Sequence, residues 1–333
     1  MVERELLRDA HEYDRAFANN LTKAATRNFD AATDLDEMGT ELFEQQGGGG
    51  GAAAAAVVAA RERRRHDTAV RQQQRTLDAC RLCPSSSRAS PHLVVATGHF
   101  TYLAVPARTA LVPGHCFIAP IEHEISTVAL DERAYEEVRN FQKSLIRMFA
   151  RSNRELLFFE TVKSLKQQRH TIVECIPLLQ RDMHAAPGYF RKALLESERE
   201  NEWSQHRKAI ETGVPPGGAT DATTRRAGPR GSVPPGFAYF HVQFGMTHGY
   251  LHHIEDERQF DWDFARSVVA GLLQLDIDVW KHARPESREQ QLKRADMLKR
   301  WFAEYDWTTM LTDGATATTP TTAHAAAAAA ATA

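Results

Sequence analysis

His170-Thr-Ile-Val-Glu-Cys-Ile-Pro177 decides the fold. Its β-branched and apolar residues, running on to Leu178, carry no helical period and read as an extended strand, along which Glu174 and Cys175 point to opposite faces. Working outward, Leu156–Glu160 is a second strand, joined to the first by Thr161-Val-Lys-Ser-Leu-Lys-Gln-Gln-Arg169, which is polar and basic. Before it, Asp131–Arg151 places Tyr135, Val138, Phe141, Leu145, Met148 and Phe149 at helical spacing with charges opposite, so one helix packs on the sheet. Further upstream, His92–Ala96, Phe100–Val105 and His115–Ala119 are short strand-like runs broken by Gly98, Pro106 and Pro113-Gly114, a meander of antiparallel strands. The expected class is α+β.

A second, smaller α+β unit is expected from 187 to 312. Tyr189–Trp203 is helical by pattern. Gly213–Pro235, rich in Gly, Pro, Thr and Arg, reads as a mobile loop. Phe237–Phe244 and Gly249–Ile254 form a strand pair, and helices follow over Trp262–Leu273 and Pro285–Glu304. Trp301-Phe-Ala-Glu-Tyr-Asp-Trp307 is aromatic enough to pack back onto the sheet. The flanks differ in kind. Residues 1–60 are acidic to about Gln46, then Gly and Ala, and read as a low-complexity flexible arm. Residues 61–79, with Arg61, Arg63, Arg64, Arg65, Arg71 and Arg75, read as a basic helix, and 313–333 as a disordered tail.

The chain has 333 residues and a formal charge of −2, which makes no case for nucleic acid by itself. Its charged N-terminus lacks a signal-peptide core and no stretch has the bulky apolar residues of a membrane span, so a soluble protein of a reducing compartment is expected. Four cysteines then argue for metal or buried thiols over disulfides. Cys116 and Cys175 sit singly in apolar runs and read as small core residues. Cys80-Arg-Leu-Cys83 is different: a Cys-x-x-Cys turn supplies two thiolates, and two later histidines complete the four ligands that tetrahedral zinc prefers. His123 follows one strand end and His170 begins its neighbour. The plain alternative is two reduced surface cysteines and two unrelated histidines.

Gly114-His-Cys-Phe-Ile-Ala-Pro120 resembles the Gly-His-x-Leu-Val-x-Pro strand of histidine-triad (HIT)-like folds, and His170-x-x-x-Glu-Cys-Ile-Pro177 resembles the CwfJ variant of the triad strand. With Phe237–Gly245, His253-Ile-Glu-Asp256 and the Trp307 terminus, these segments are similar to the two consecutive C-terminal domains of the CwfJ family over about residues 76–310. The resemblance implies a HIT-like antiparallel sheet and a nuclear protein of the late spliceosome, linked to intron-lariat turnover and debranching. It also implies a structural zinc on Cys80, Cys83, His123 and His170. In the triad His-x-His-x-His only His170 survives, and Ile172 stands where catalytic members carry the nucleophile, so no catalytic residue is expected.

Lys163, Lys166 and Arg169 lie near where HIT-like proteins hold phosphate, and three cations there suit a phosphodiester backbone. The alternative is a solvated basic loop. The Arg61–Arg75 run is a second candidate, for RNA or nuclear import, against an exposed helix face. His241, His248, His252 and His253 read as turn and packing residues, and Tyr239, Phe240 and Phe244 as sheet core. The leading expectation is a non-catalytic zinc scaffold that partners spliceosomal proteins, intron-lariat or small nuclear RNA and the debranching enzyme. The rivals are an active HIT-type nucleotide hydrolase or transferase, and a purely protein-binding adaptor.

Overall fold

The computed structural model describes residues 51–199, 209–213, 228–281 and 285–311; the arm to residue 50 and the tail from 312 lie outside these. Two compact units divide the chain at Val70 and Arg71. Helix α1, Gly51–Ala79, crosses that boundary and begins at Gly51 rather than at 61, because the Ala run has the highest helix propensity of any residue type. Among the described residues, no helix is long and apolar enough to cross a membrane.

From Arg71 onward the elements follow in order. Strands β1 (Val94–Thr97), β2 (Thr101–Ala104) and β3 (Cys116–Pro120) precede helix α2 (Glu132–Ala150). Strands β4 (Arg154–Val162) and β5 (Val173–Leu179) lead into α3 (Gln180–Arg199). After β6 (Ile210–Gly213), β7 (Tyr239–Phe244) and β8 (His248–His253) come α4 (Phe264–Leu272), α5 (Ile277–Trp280) and α6 (Arg288–Phe302). The eight strands among the described residues belong to one antiparallel sheet in the order β1-β2-β3-β5-β4-β7-β8-β6. The segments on either side of residue 187 therefore share a sheet: β4 pairs with β7 from Leu157↔Phe244 to Val162↔Tyr239.

Alternation along β4 builds a core on each face. Leu156 and Phe158 join Val138, Phe141 and Leu145 of α2 and Leu298 and Phe302 of α6. Leu157 and Phe159 join Phe190 and Leu194 of α3, Phe240 and Val242 of β7, and Val269 of α4. Each of these large apolar side chains contributes about 1.5–3 kcal/mol by leaving water. Asp131 caps α2 by accepting from the Ala134 amide at 2.6 Å, worth ~1 kcal/mol. Trp307 packs against Phe141 with ring centroids 5.1 Å apart. A smaller cluster, Tyr102, Ala104, Phe117 and Ala119, receives Leu82 and Ile172, and the Tyr102 hydroxyl donates to the Leu82 carbonyl at 2.7 Å. That contact seats the Cys80–Cys83 turn on the sheet.

Two glycines are set by their surroundings. A Cβ on Gly98 would lie 2.6 Å from the Glu137 carboxylate, which accepts from the amides of His99, Phe100 and Thr101 and so fixes the β1–β2 turn. Gly114 has φ +89° and lies against the Phe149 ring.

Helix α3 starts at Gln180 and runs through Pro187, earlier than the expected Tyr189. Met183, Ala186, Phe190 and Leu194 form one buried stripe across the proline, and their burial outweighs the ~3 kcal/mol that an interior proline costs. Trp203 lies outside the described residues. The described part of the Gly213–Pro235 insertion is anchored. The Arg230 guanidinium stacks 4.0 Å from the Tyr135 ring and donates to the Glu132 carboxylate at 2.7 Å, and Val233 is buried.

Candidate metal centre and adjoining cleft

Three parts of the chain meet at one end of β3 and β5. The turn after α1 brings Cys80 and Cys83, the bend after β3 brings His123, and the residues leading into β5 bring His170. Their donor atoms all lie within 4.8 Å of one another, a unique grouping of His, Cys, Asp or Glu among the described residues. Cys83 Sγ lies 3.2 Å from His123 Nδ1 and 3.3 Å from His170 Nδ1, and Cys80 Sγ lies 3.6 Å from His170 Nδ1. Tetrahedral bonds of ~2.0 Å to nitrogen and ~2.3 Å to sulphur separate ligand atoms by roughly 3.3–3.8 Å, so the four residues fit a metal ion.

The outer hydrogen bonds agree with that fit. His123 Nε2–H donates to the Gln168 carbonyl at 2.6 Å and His170 Nε2–H to the Pro120 carbonyl at 2.9 Å. Both rings thus keep the proton on Nε2 and turn the Nδ1 lone pair inward, as ligating imidazoles do. Burial, then His123, lowers His170 to about 4, which keeps it neutral. Burial, then Cys80, pushes the Cys83 thiol up to about 12, so it takes a cation to make the thiolate. The Leu82 amide donates to Cys80 Sγ at 3.4 Å.

Beside this cluster opens a cleft of about 800 Å³ lined by Arg108, Arg169, Ile172, Glu174 and Trp262. Its lip is the β4–β5 connection. Of the three cations singled out there, Lys166 and Arg169 are exposed. Arg169 lays its guanidinium 4.3 Å from the centre of the Trp262 ring. Lys163 is only 7% exposed, donates to the Phe260 carbonyl and lies 5.2 Å from the same ring. Its ammonium therefore braces the 260–262 segment and is withdrawn from the surface.

The floor of the cleft is an ion-pair network that sequence reasoning missed. Glu174 Oε2 accepts from His115 Nε2–H at 2.9 Å and from Arg266 Nη1 at 3.3 Å, while Arg108 Nη2 stands 3.8 Å from Oε1. Arg108 also bonds Asp263 at 2.8 Å. The Leu111 amide donates to His115 Nδ1 at 3.3 Å, which fixes the proton on Nε2. Burial alone would raise Glu174, but the hydrogen bond from His115, then Arg266 and Arg108, outweigh it and hold the carboxyl at about 2. Burial likewise pulls His115 below its ordinary value, so it donates as a neutral ring. A carboxylate so occupied has little capacity left as a base. One signal pointed here: Arg266 interrupts an otherwise apolar helix, Phe264-Ala-Arg-Ser-Val-Val-Ala.

Among the described residues, His241, His248, His252 and His253 form no comparable group. His241 is buried and shares a hydrogen bond with Thr212 Oγ1 at 3.2 Å. Tyr239, Phe240 and Phe244 are all buried in the core.

Comparison with known proteins adds the following. Residues 67–191 match the family described as protein similar to CwfJ C-terminal, and residues 202–308 the family described as protein similar to CwfJ C-terminus 2. CWF19-like protein 2 of Homo sapiens is 37% identical over 232 residues, 70% of this chain and 24% of that protein. Pre-mRNA-splicing factor cwf19 of Schizosaccharomyces pombe is 34% identical over 249 residues, 73% of this chain and 37% of that protein. Zinc finger CCCH domain-containing protein 59 of Oryza sativa is 28% identical over 238 residues, 71% of this chain and 36% of that protein. The chain thus spans about a quarter of the human relative's length and somewhat over a third of the other two.

Proposed function

This chain belongs to the CwfJ family, and from that premise we propose that it is a non-catalytic, zinc-containing, spliceosome-associated factor of late pre-mRNA splicing that holds intron-lariat RNA for turnover and debranching. The observation that carries this reading is a cleft with the exposed cation Arg169 on its lip, Lys166 on the same connection, and a floor whose carboxylate, Glu174, is already engaged. Lys166 and Arg169 offer salt-dependent contacts to a phosphodiester backbone. Ile172 has no atom with which to attack a phosphate, and Glu174 is engaged by His115, Arg266 and Arg108.

Two thiolates with two neutral imidazoles suit zinc far better than a hard cation such as magnesium or calcium. Cys80, Cys83, His123 and His170 would hold it. Zinc there would supply a cross-link between α1, β3 and β5, with no open coordination position for chemistry. We read β1–β5 with α2 as HIT-like, His170, Ile172 and Glu174 being the three triad positions of one strand face. The name of the S. pombe relative, a pre-mRNA-splicing factor, supports the splicing context. Nuclear location and partners among spliceosomal proteins, small nuclear RNA and the debranching enzyme follow from that context as our inference.

Ultraviolet crosslinking of the tagged protein in nuclear extract, followed by sequencing of the attached RNA, tests the reading. Enrichment of intron branch regions or spliceosomal small nuclear RNA supports it. RNA at background level overturns it in favour of a protein-binding adaptor. Nucleotide turnover by the purified chain, abolished in a Glu174→Gln sample shown by circular dichroism to remain folded, would establish the enzymatic rival.

A further inference from the structure

The residues 164–169 are held by two different partners. At one end the Ser164 amide donates to the Glu257 carboxylate at 2.7 Å, and Lys163 donates to the Phe260 carbonyl. Within the turn, the Gln167 amide donates to the Ser164 carbonyl at 2.8 Å and the Gln168 amide to the Leu165 carbonyl at 3.1 Å. At the other end the Gln168 carbonyl accepts from His123, a residue of the metal cluster, at 2.6 Å. Gln168 has φ 46°, a left-handed conformation that a residue with a Cβ adopts only when its surroundings hold it there. The next residue is Arg169, stacked on Trp262, and the one after is His170, in the cluster itself.

We infer that the metal centre sets the conformation of the RNA-facing lip: the ion orients His123, whose Nε2–H pins the Gln168 carbonyl and thereby lays Arg169 on Trp262. This rests on the RNA reading above and adds regulation to it, since metal occupancy and RNA affinity become coupled. The direction is physical. A cation on Nδ1 polarises the ring and makes Nε2–H a charge-assisted donor, whereas an unligated His123, half-exposed, is free to rotate away from the carbonyl. A charge-assisted bond of this kind corresponds to a roughly tenfold change in the population of the pinned loop.

The test separates ligation from pinning. His123→Cys keeps a zinc ligand but has no N–H to give, and His123→Asp is a second variant with the same property. Three quantities are measured on the full chain: bound zinc by mass spectrometry, amide exchange of 165–169 without RNA, and affinity for a fluorescent oligouridine. The expected result, in whichever variant retains about one zinc, is exchange accelerated roughly tenfold and affinity weakened by a similar factor, with exchange in the β4–β5 core unchanged. Retained zinc with wild-type exchange in 165–169 overturns the inference and leaves the RNA reading standing. A wild-type chain that binds no oligouridine overturns the RNA reading instead, and the exchange rates then decide the pinning on their own.

Discussion

Removing one charge from the floor of the cleft, by Glu174→Gln, strands Arg266. That guanidinium is 1% exposed, and without Glu174 it keeps only the Thr109 carbonyl at 3.2 Å and Asp263 at 3.8 Å. Breaking a buried pair from one side costs about 3–5 kcal/mol. The titration of Glu174 leads to the same size: its carboxyl falls from an ordinary 4.5 to about 2 on folding, and at ~1.36 kcal/mol per pH unit this is worth about 3 kcal/mol. Because the folded value is the lower one, the contribution is fully present above pH 4.5 and is lost as the pH falls from 4.5 towards 2. Urea unfolding followed by circular dichroism at pH 7 should therefore show Glu174→Gln destabilised by about 3 kcal/mol. Adding Arg266→Met should recover part of that loss, since both charges are then gone, giving a double-mutant coupling above about 1 kcal/mol. A Glu174→Gln cost under about 1 kcal/mol, or strict additivity of the two substitutions, would refute the network as described.

Other perturbations have equally definite outcomes. Cys80→Ser should abolish stoichiometric zinc and lower the melting temperature by roughly 10 °C, about 4 kcal/mol, as calorimetry with metal analysis would record; a zinc-free variant with wild-type melting would contradict a structural ion. Charge reversal at Lys166 and Arg169 together should weaken oligouridine binding and reduce the salt slope of log K by about one to two, whereas Lys163→Met should act on stability first; anisotropy across a salt series tells them apart. Burial alone lowers His241 from 6.5 to about 4, so the unfolded chain takes up its proton first and stability drops as the pH falls from 6.5 towards 4. Between pH 7 and pH 5 this amounts to about 2 kcal/mol, and His241→Gln should lose that much of the pH dependence in urea midpoints.

What could be read from the sequence is what depends on near neighbours. The alternating runs at 156–160 and 170–178, the α2 stripe and the Cys-x-x-Cys turn are local patterns, and the α+β class follows from them. The meeting of Cys80 with His123 and His170 depends on β3 pairing with β5, a contact that no local pattern encodes; the expected strand ends at His123 and His170 and the family resemblance together pointed to it. Lys163 belongs to the same lesson. A basic loop residue reads as solvated, yet its neighbour across space, the Phe260 carbonyl, draws it inward. Pro187 reads as a break because propensity is local, while the Met183–Leu194 stripe that overrides it is tertiary. The Glu174 network gathers residues from 108 to 266 around one carboxylate, and only the odd Arg in an apolar helix hinted at it.

The most direct test of the central claim is X-ray absorption at the zinc edge of the purified full chain, with metal content measured on the same sample. The account predicts one zinc per chain with two sulphur ligands at about 2.3 Å and two nitrogen ligands at about 2.0 Å. A folded chain without bound metal, or a zinc with oxygen ligands and no sulphur, would contradict it.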